Sequence, residues 1–180
     1  MLKINEFKIE NLKGSLTRPN WTKQNHRLLN RTWLDKNECT DPELNEIVSK
    51  SLSSIPSESI FSYPDLDLLY KKIAKFAQVK AENILLTAGS DGAIRACFET
   101  CIESGDKIVL TRPTFAMYDV YSKIYDAEVT WLDYEASNNG PLLSVDKFIA
   151  VIKEVEPKMV CLPNPDSPTG SYFSEKYLFH

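Results

Sequence analysis

Apolar residues along the chain switch between two periods, and the switching outlines the fold. Leu66, Leu69, Tyr70, Ile73 and Phe76 recur every three or four positions, which predicts one buried face of a helix. Ile84-Leu85-Leu86-Thr87 is a short apolar run between Asn83 and Gly89, the pattern of a buried strand. Helical spacing returns at Ile94, Cys97, Phe98, Cys101 and Ile102. Gly105-Asp106 then turns into Lys107-Ile108-Val109-Leu110-Thr111, a second strand. A helix over Met117, Tyr118, Tyr121 and Ile124 precedes a third strand, Glu128-Val129-Thr130-Trp131-Leu132. Ser144 can cap a helix carrying Val145, Phe148, Ile149 and Ile152, and Lys158-Met159-Val160-Cys161-Leu162 reads as a fourth strand. Strands alternating with helices of about ten residues argue for an α/β domain with a mainly parallel sheet.

The pattern before Pro64 is different. Residues 1 to about 40 are polar and irregular, contain Trp21 and Trp33, and read as an arm that packs on something else. Asp41-Pro42 is a helix start: Asp41 can cap, and Pro42 suits a first position where no N–H is needed. Leu44, Ile47 and Val48 then give a short apolar face, and residues 53–63 form a loop rich in breakers. The chain thus divides at about residue 52 into an arm with one helix and, over 53–180, an α/β body.

Composition narrows the function classes. A chain of 180 residues can build one substantial core. Its formal charge of −4, without a basic tract or arginine cluster, gives no footprint for nucleic acid. No stretch approaches the roughly 20 apolar residues of a membrane span, and the first residues carry no run of signal-peptide length. The cytoplasm is the expected location. Cys39, Cys97, Cys101 and Cys161 are scattered, and Cys97 and Cys101 share a helix face, which predicts reduced core cysteines. With only His26 and His180 as histidines, neither a zinc site nor a histidine triad has enough partners.

In parallel sheets ligands gather at the carboxyl ends of the strands. That rule selects three loops: 88–92, 112–115 and 163–170. The first joins a strand to a helix start, whose free N–H groups suit a phosphate. Gly89 permits close backbone approach and Ser90 adds a hydroxyl. Asp91 fits an anion site only if its N–H faces the ligand while its carboxylate points away; alternatively Ser90 and Asp91 merely cap the helix. No Gly-Lys-Ser/Thr and no Gly-x-Gly-x-x-Gly is present. Phe115 could stack on a planar heterocycle or belong to the core of the next helix. Asn164-Pro165-Asp166-Ser167-Pro168-Thr169-Gly170 is a proline-stiffened turn, suited to fixing polar side chains in set directions.

Taken together, these loops resemble the first part of fold-type-I pyridoxal-phosphate aminotransferases of the histidinol-phosphate aminotransferase-like branch. The likeness covers residues from about 30 onward. It includes Leu34-Asp35-Lys36-Asn37-Glu38, Phe61-Ser62-Tyr63-Pro64-Asp65, Leu86-Thr87-Ala88-Gly89-Ser90-Asp91, the segment 102–118, and the proline turn. The resemblance implies a three-layer large domain, truncated here, with 53–180 as its cofactor-binding part and 1–52 as arm and small-domain helix. It implies pyridoxal 5′-phosphate as cofactor, an amino donor and a 2-oxo acid as substrates, and a homodimer. By resemblance, Gly89 and the backbone N–H groups of Ser90 and Asp91 hold the phosphate, Phe115 stacks on the pyridine, and Tyr63 reaches the neighbouring subunit's phosphate. Asn37 lies near the substrate, and Ser167 stands where the family has asparagine at the ring hydroxyl.

The resemblance places the family's Schiff-base lysine, pyridine-binding aspartate and carboxylate-binding arginine beyond the proline turn. Lys176 is too close to that turn to substitute, so no catalytic residue is assigned within these 180 positions. The expectation is the N-terminal portion of an aminotransferase, as a fragment, a disrupted gene or a cut piece, whose sheet keeps an exposed edge. A decarboxylase on the same scaffold and a non-catalytic remnant domain are the alternatives. The 180-residue polypeptide is accordingly expected not to transaminate. Mixing it with pyridoxal phosphate and an amino acid tests this, and a borohydride-reducible lysine adduct accompanied by turnover would contradict it.

Overall fold

The computed structural model describes residues 38–174. The arm through Asn37, and Lys176 near the other end, lie outside the described residues. The described residues fall in two compact units, one ending at Leu86 and one beginning at Thr87.

The first unit is helical. Helix α1 (Pro42–Ser53) starts as its sequence dictates: the Asp41 carboxylate accepts from the N–H groups of Glu43 and Leu44 at 2.9 and 3.0 Å. Its apolar stripe of Leu44, Ile47, Val48 and Leu52 is exposed. The expected loop over 53–63 contains a one-turn helix, α2 (Glu58–Phe61). Helix α3 (Asp67–Ala77) follows, with Ala74 buried and Gln78 closing it in the left-handed conformation. A short 3-10 turn (Ala81–Asn83) comes next.

The expected strand at Ile84–Thr87 does not form. Ile84 is extended (φ −119°, ψ 135°), yet no described strand pairs with this run. The Leu86 N–H donates to the Tyr70 hydroxyl of α3 at 3.3 Å. A strand exists only through hydrogen bonds to a neighbour, so an apolar run without one stays irregular.

The second unit is the α/β body. It runs α4 (Gly89–Cys101), β1 (Lys107–Arg112), α5 (Ala116–Ile124), β2 (Glu128–Asp133), α6 (Val145–Val155) and β3 (Met159–Cys161). Three of the four expected strands therefore form among the described residues, all parallel, in the order β2-β1-β3. Strand β1 is central, which is why it is the continuous apolar run: Ile108, Val109, Leu110 and Thr111 are at most 1% exposed. On one face Ile108, Leu110 and Cys161 pack with Phe98 and Ile102 at α4 and Tyr121 of α5. On the other, Val109, Leu132 and Leu143 pack with Phe148, Val151 and Val155 of α6. The result is three layers, helix–sheet–helix. Cys97 and Cys101 depart from expectation: both are exposed, while Phe98 between them is fully buried.

At the amino ends of the strands one carboxylate joins several elements. Asp106 Oδ2 accepts from the Glu103 N–H at 2.7 Å and from Lys158 Nζ at 2.5 Å, while its carbonyl accepts from the Glu128 N–H at 2.9 Å. The lysine hydrogen bond, then the Glu103 N–H, hold the Asp106 carboxyl below its ordinary value of 3.8, and Asp106 in turn raises Lys158 above 10.5. Stability from this pair is therefore present between those two values. It fades on acidification as pH falls through the lowered carboxyl value, and on alkalinisation only above 10.5. Thermal melts across pH are expected to show Asp106→Asn melting lower than the parent at neutral pH. The two chains should converge only once pH has fallen through the lowered carboxyl value, which lies under 3.8, where the carboxylate of the parent is itself lost.

Candidate functional site

All three candidate loops lie in the second unit, at the carboxyl-end edge of the sheet. The 112–115 and 163–170 loops leave the carboxyl ends of β1 and β3. Helix α4 enters β1 at the strand's amino end, so its own first turn lies at the opposite edge.

Helix α4 begins without help from a side chain. Its N-cap position is Ala88, which makes no side-chain cap, so neither Ser90 nor Asp91 plays the capping role open to it on sequence. The Gly89 N–H turns back to the Thr87 carbonyl at 2.9 Å, and the Thr87 hydroxyl donates to the Gly89 carbonyl at 2.8 Å. The N–H groups that follow have no intrahelical acceptor, and they and the helix dipole favour negative charge. Gly89 has φ +73°, and a Cβ built there would meet nothing within 4 Å, so the space before the helix is open. Ser90 is exposed beside it. The Asp91 carboxylate is drawn aside: Tyr121 of α5, 8% exposed, donates its hydroxyl to Asp91 Oδ1 at 3.0 Å. Burial, then this aspartate, push the Tyr121 hydroxyl above its ordinary 10.0, so it remains a donor at neutral pH.

Phe115 stands at the N-cap of α5, half-buried, with its ring edge-on to Tyr118 at 6.5 Å between centroids. At the base of this loop Arg112 reaches Asp133 through Nε and Nη2 at 2.6 and 2.9 Å and lies 5.7 Å over the Trp131 ring. The paired ends of β1 and β2 are thus fixed where the loop departs.

The proline turn is held by its own side chains. Asp166 is 4% exposed, and its Oδ2 accepts from the Thr169 hydroxyl and N–H at 2.5 and 3.3 Å. Its N–H donates to the Ser171 carbonyl at 2.8 Å, and its carbonyl accepts from the Gly170 N–H at 2.9 Å. Asn164 pairs with Phe173 as a strand would, donating from Nδ2 to its carbonyl at 3.0 Å and accepting its N–H at 2.8 Å. Ser167 sits exposed on the outside of this frame. Among the described residues, Thr114 Oγ1 and Asp166 Oδ1 are buried without a hydrogen-bond partner. Burial, then the Asp166 charge, push the Tyr134 hydroxyl above its ordinary 10.0. Cys161, at the end of β3, is pushed up to about 12 by burial, so it is a packed thiol rather than a nucleophile.

Gly89, Ser90, Asp91, Phe115 and Ser167 are therefore brought to one edge of one unit. Tyr63 belongs to the other unit, where it is fully exposed, and Asn37 lies outside the described residues. The sequence reading assigned no role to Tyr121, Asp166 or Asn164. The Asp-x-x-Thr spacing of the turn was a usable signal for Asp166; nothing local pointed Tyr121 at Asp91. Among the described residues no His, Cys, Asp or Glu group could hold a metal ion, and no helix is long and apolar enough to cross a membrane.

A family model described as aminotransferase class I and II matches residues 30–178. A histidinol-phosphate aminotransferase of Thermoanaerobacter sp. (strain X514) is 38% identical over 149 residues, which are 81% of this chain and 41% of the relative. A histidinol-phosphate aminotransferase from Sinorhizobium meliloti, solved in complex with pyridoxal-5′-phosphate, superposes with a TM-score of 0.62 at 16% identity. The superposition covers 77% of this chain and 36% of that one. A PLP-dependent aminotransferase from Streptococcus suis superposes at 0.54 with 28% identity, over 74% of this chain and 35% of its own. The chain thus spans about two fifths of the length of the curated relatives it matches.

Asp166 carries the turn's internal frame, so Asp166→Ala is expected to lower stability by roughly 1–3 kcal/mol, the cost of leaving buried donors without an acceptor. Urea denaturation of the two chains measures it, and an unchanged midpoint would show that the frame does not depend on this carboxylate.

Proposed function

Because the chain belongs to the class I and II aminotransferase family, we propose that it forms the cofactor-phosphate end of a pyridoxal-phosphate-dependent aminotransferase. The whole protein would move an amino group between an amino acid or amino-phosphate and a 2-oxo acid. The aminotransferase names of the relatives above favour that reaction over decarboxylation on the same scaffold. The observation that carries the reading is the convergence of an uncapped helix start, an aromatic loop and a rigid polar turn on one sheet edge.

The residues present fit the group. The phosphate would sit before α4, where Gly89 leaves open space and the N–H groups of Ser90 and Asp91 have no intrahelical acceptor and no side-chain cap. Phe115 would lie against the flat ring, and Ser167 would donate to or accept from its hydroxyl. Serine is shorter than the asparagine of the family pattern, so this contact is the weaker one. When bound, the cofactor supplies a carbonyl that receives the amino group and a ring that spreads the electron pair left at the substrate Cα. The chain's own part is binding and orientation: the phosphate end fixes the ring's position, and the rigid turn fixes its rotation. No residue among the 180 is assigned to proton transfer. Tyr63, fully exposed, is the candidate to complete the phosphate site of a second subunit, which makes a homodimer part of the proposal, in the cytoplasm.

Pyridoxamine 5′-phosphate is the appropriate probe, since it cannot condense with stray lysines. The 180-residue chain is expected to bind it at least about tenfold more tightly than pyridoxamine, the worth of one charge-assisted hydrogen bond to the phosphate. Inorganic phosphate should displace it, as followed by ligand fluorescence. Equal binding of the two amines would overturn the reading.

A further inference from the structure

We propose that Tyr121 is a positioning residue for the phosphate site, holding the Asp91 carboxylate away from the first turn of α4. The inference rests on the cofactor reading above, because it takes that first turn to be where a phosphate binds.

A carboxylate in the first turn of a helix is drawn to the same free N–H groups and the same positive dipole end that an anion would use. Asp91 is in that turn, and the turn has no other side-chain cap. Left to itself, its carboxylate would compete with a phosphate twice, by occupying donors and by repelling the ligand's charge. The structure gives it another partner. Tyr121, thirty positions later, comes from a different helix and is 8% exposed, and its hydroxyl donates to Asp91 Oδ1 at 3.0 Å. The phenol is fixed in turn: its ring packs on Phe98 with centroids 6.1 Å apart, inside the cluster of Ile108 and Leu110. A rigid donor therefore sets the direction of the carboxylate. Arg95, one turn along α4, is the other group placed to attract Asp91, and it is paired with Glu99 at 3.7 Å. The local sequence offers Asp91 two directions, and a core tyrosine selects the one that leaves the N–H groups free.

A double-mutant cycle read by binding of inorganic phosphate and of pyridoxamine 5′-phosphate separates this role from a structural one. Tyr121→Phe should bind both ligands about two- to fivefold more weakly, the range expected for one charge at a helix start. Asp91→Ala should bind at least as well as the parent, and in that background Tyr121→Phe should have no further effect. Melting temperatures of all four chains register any general damage, which would weaken binding in both backgrounds alike and so overturn the inference. Should Tyr121→Phe fail to fold, Asp91→Ala alone still decides: weaker phosphate binding would mean that the carboxylate helps the site rather than threatens it. If the parent binds neither ligand, the cofactor reading falls and this inference with it. If the parent binds and Tyr121→Phe binds equally, only the role of Tyr121 is lost.

Discussion

The fold depends on the parallel pairing of β1 with a strand on each side. Its register is continuous from Lys107 with Glu128 to Arg112 with Asp133, and from Ile108 with Met159 to Leu110 with Cys161. Because a central strand can satisfy its N–H and C=O groups against neighbours on both sides, its middle residues can be apolar and buried, as Ile108, Val109 and Leu110 are. That single constraint orients everything around it. Each strand must be reached by a helix crossing back over the sheet, so each strand's carboxyl end opens into a loop on the same edge. A functional edge follows from the pairing before any functional residue is specified.

The two edges of the sheet are then treated differently. At the amino ends, polar groups are consumed in structural ties: Asp106 binds Glu103 and Lys158, and Ser104 donates to Asp126 at 2.6 Å. At the carboxyl ends, donors and polar atoms are kept in place but left available. The first turn of α4 has no side-chain cap, Ser167 faces outward, and the buried Thr114 hydroxyl has no hydrogen-bond partner among the described residues. Unsatisfied groups of this kind are costly, and their concentration on one edge is what distinguishes a binding surface from a finished core. The rigid elements there, the Asp166 frame and the Arg112–Asp133 fork, keep the available groups in fixed directions.

The helical unit before Thr87 has the opposite balance. Its apolar residues are patterned for burial, yet Leu44, Ile47, Ile60 and Phe61 are exposed at 52, 59, 78 and 79%. An amphipathic face of this kind gains its stabilisation only when something covers it. The α/β unit, by contrast, closes its own core on both faces of the sheet.

What the sequence determined by itself was whatever local chemistry controls. The Asp41 and Ser144 caps, the period of each helix, the apolar run of β1 and the stiffness of the proline turn all depend on residues within about one turn of each other. The family likeness was legible for a related reason, since short motifs fix loop shapes locally. The tertiary structure decided the rest, because each remaining feature needs a partner from far along the chain. Ile84–Thr87 has strand composition but no strand to pair with among the described residues. Cys97 and Cys101 sit on a helical stripe, yet packing left both exposed while Phe98 went in. Asp91 could cap its own helix or turn away, and only the arrival of Tyr121 from another helix settles which. A side chain's intrinsic preferences travel with the sequence, whereas the choice between two permitted partners is made by the packing that brings one of them within reach.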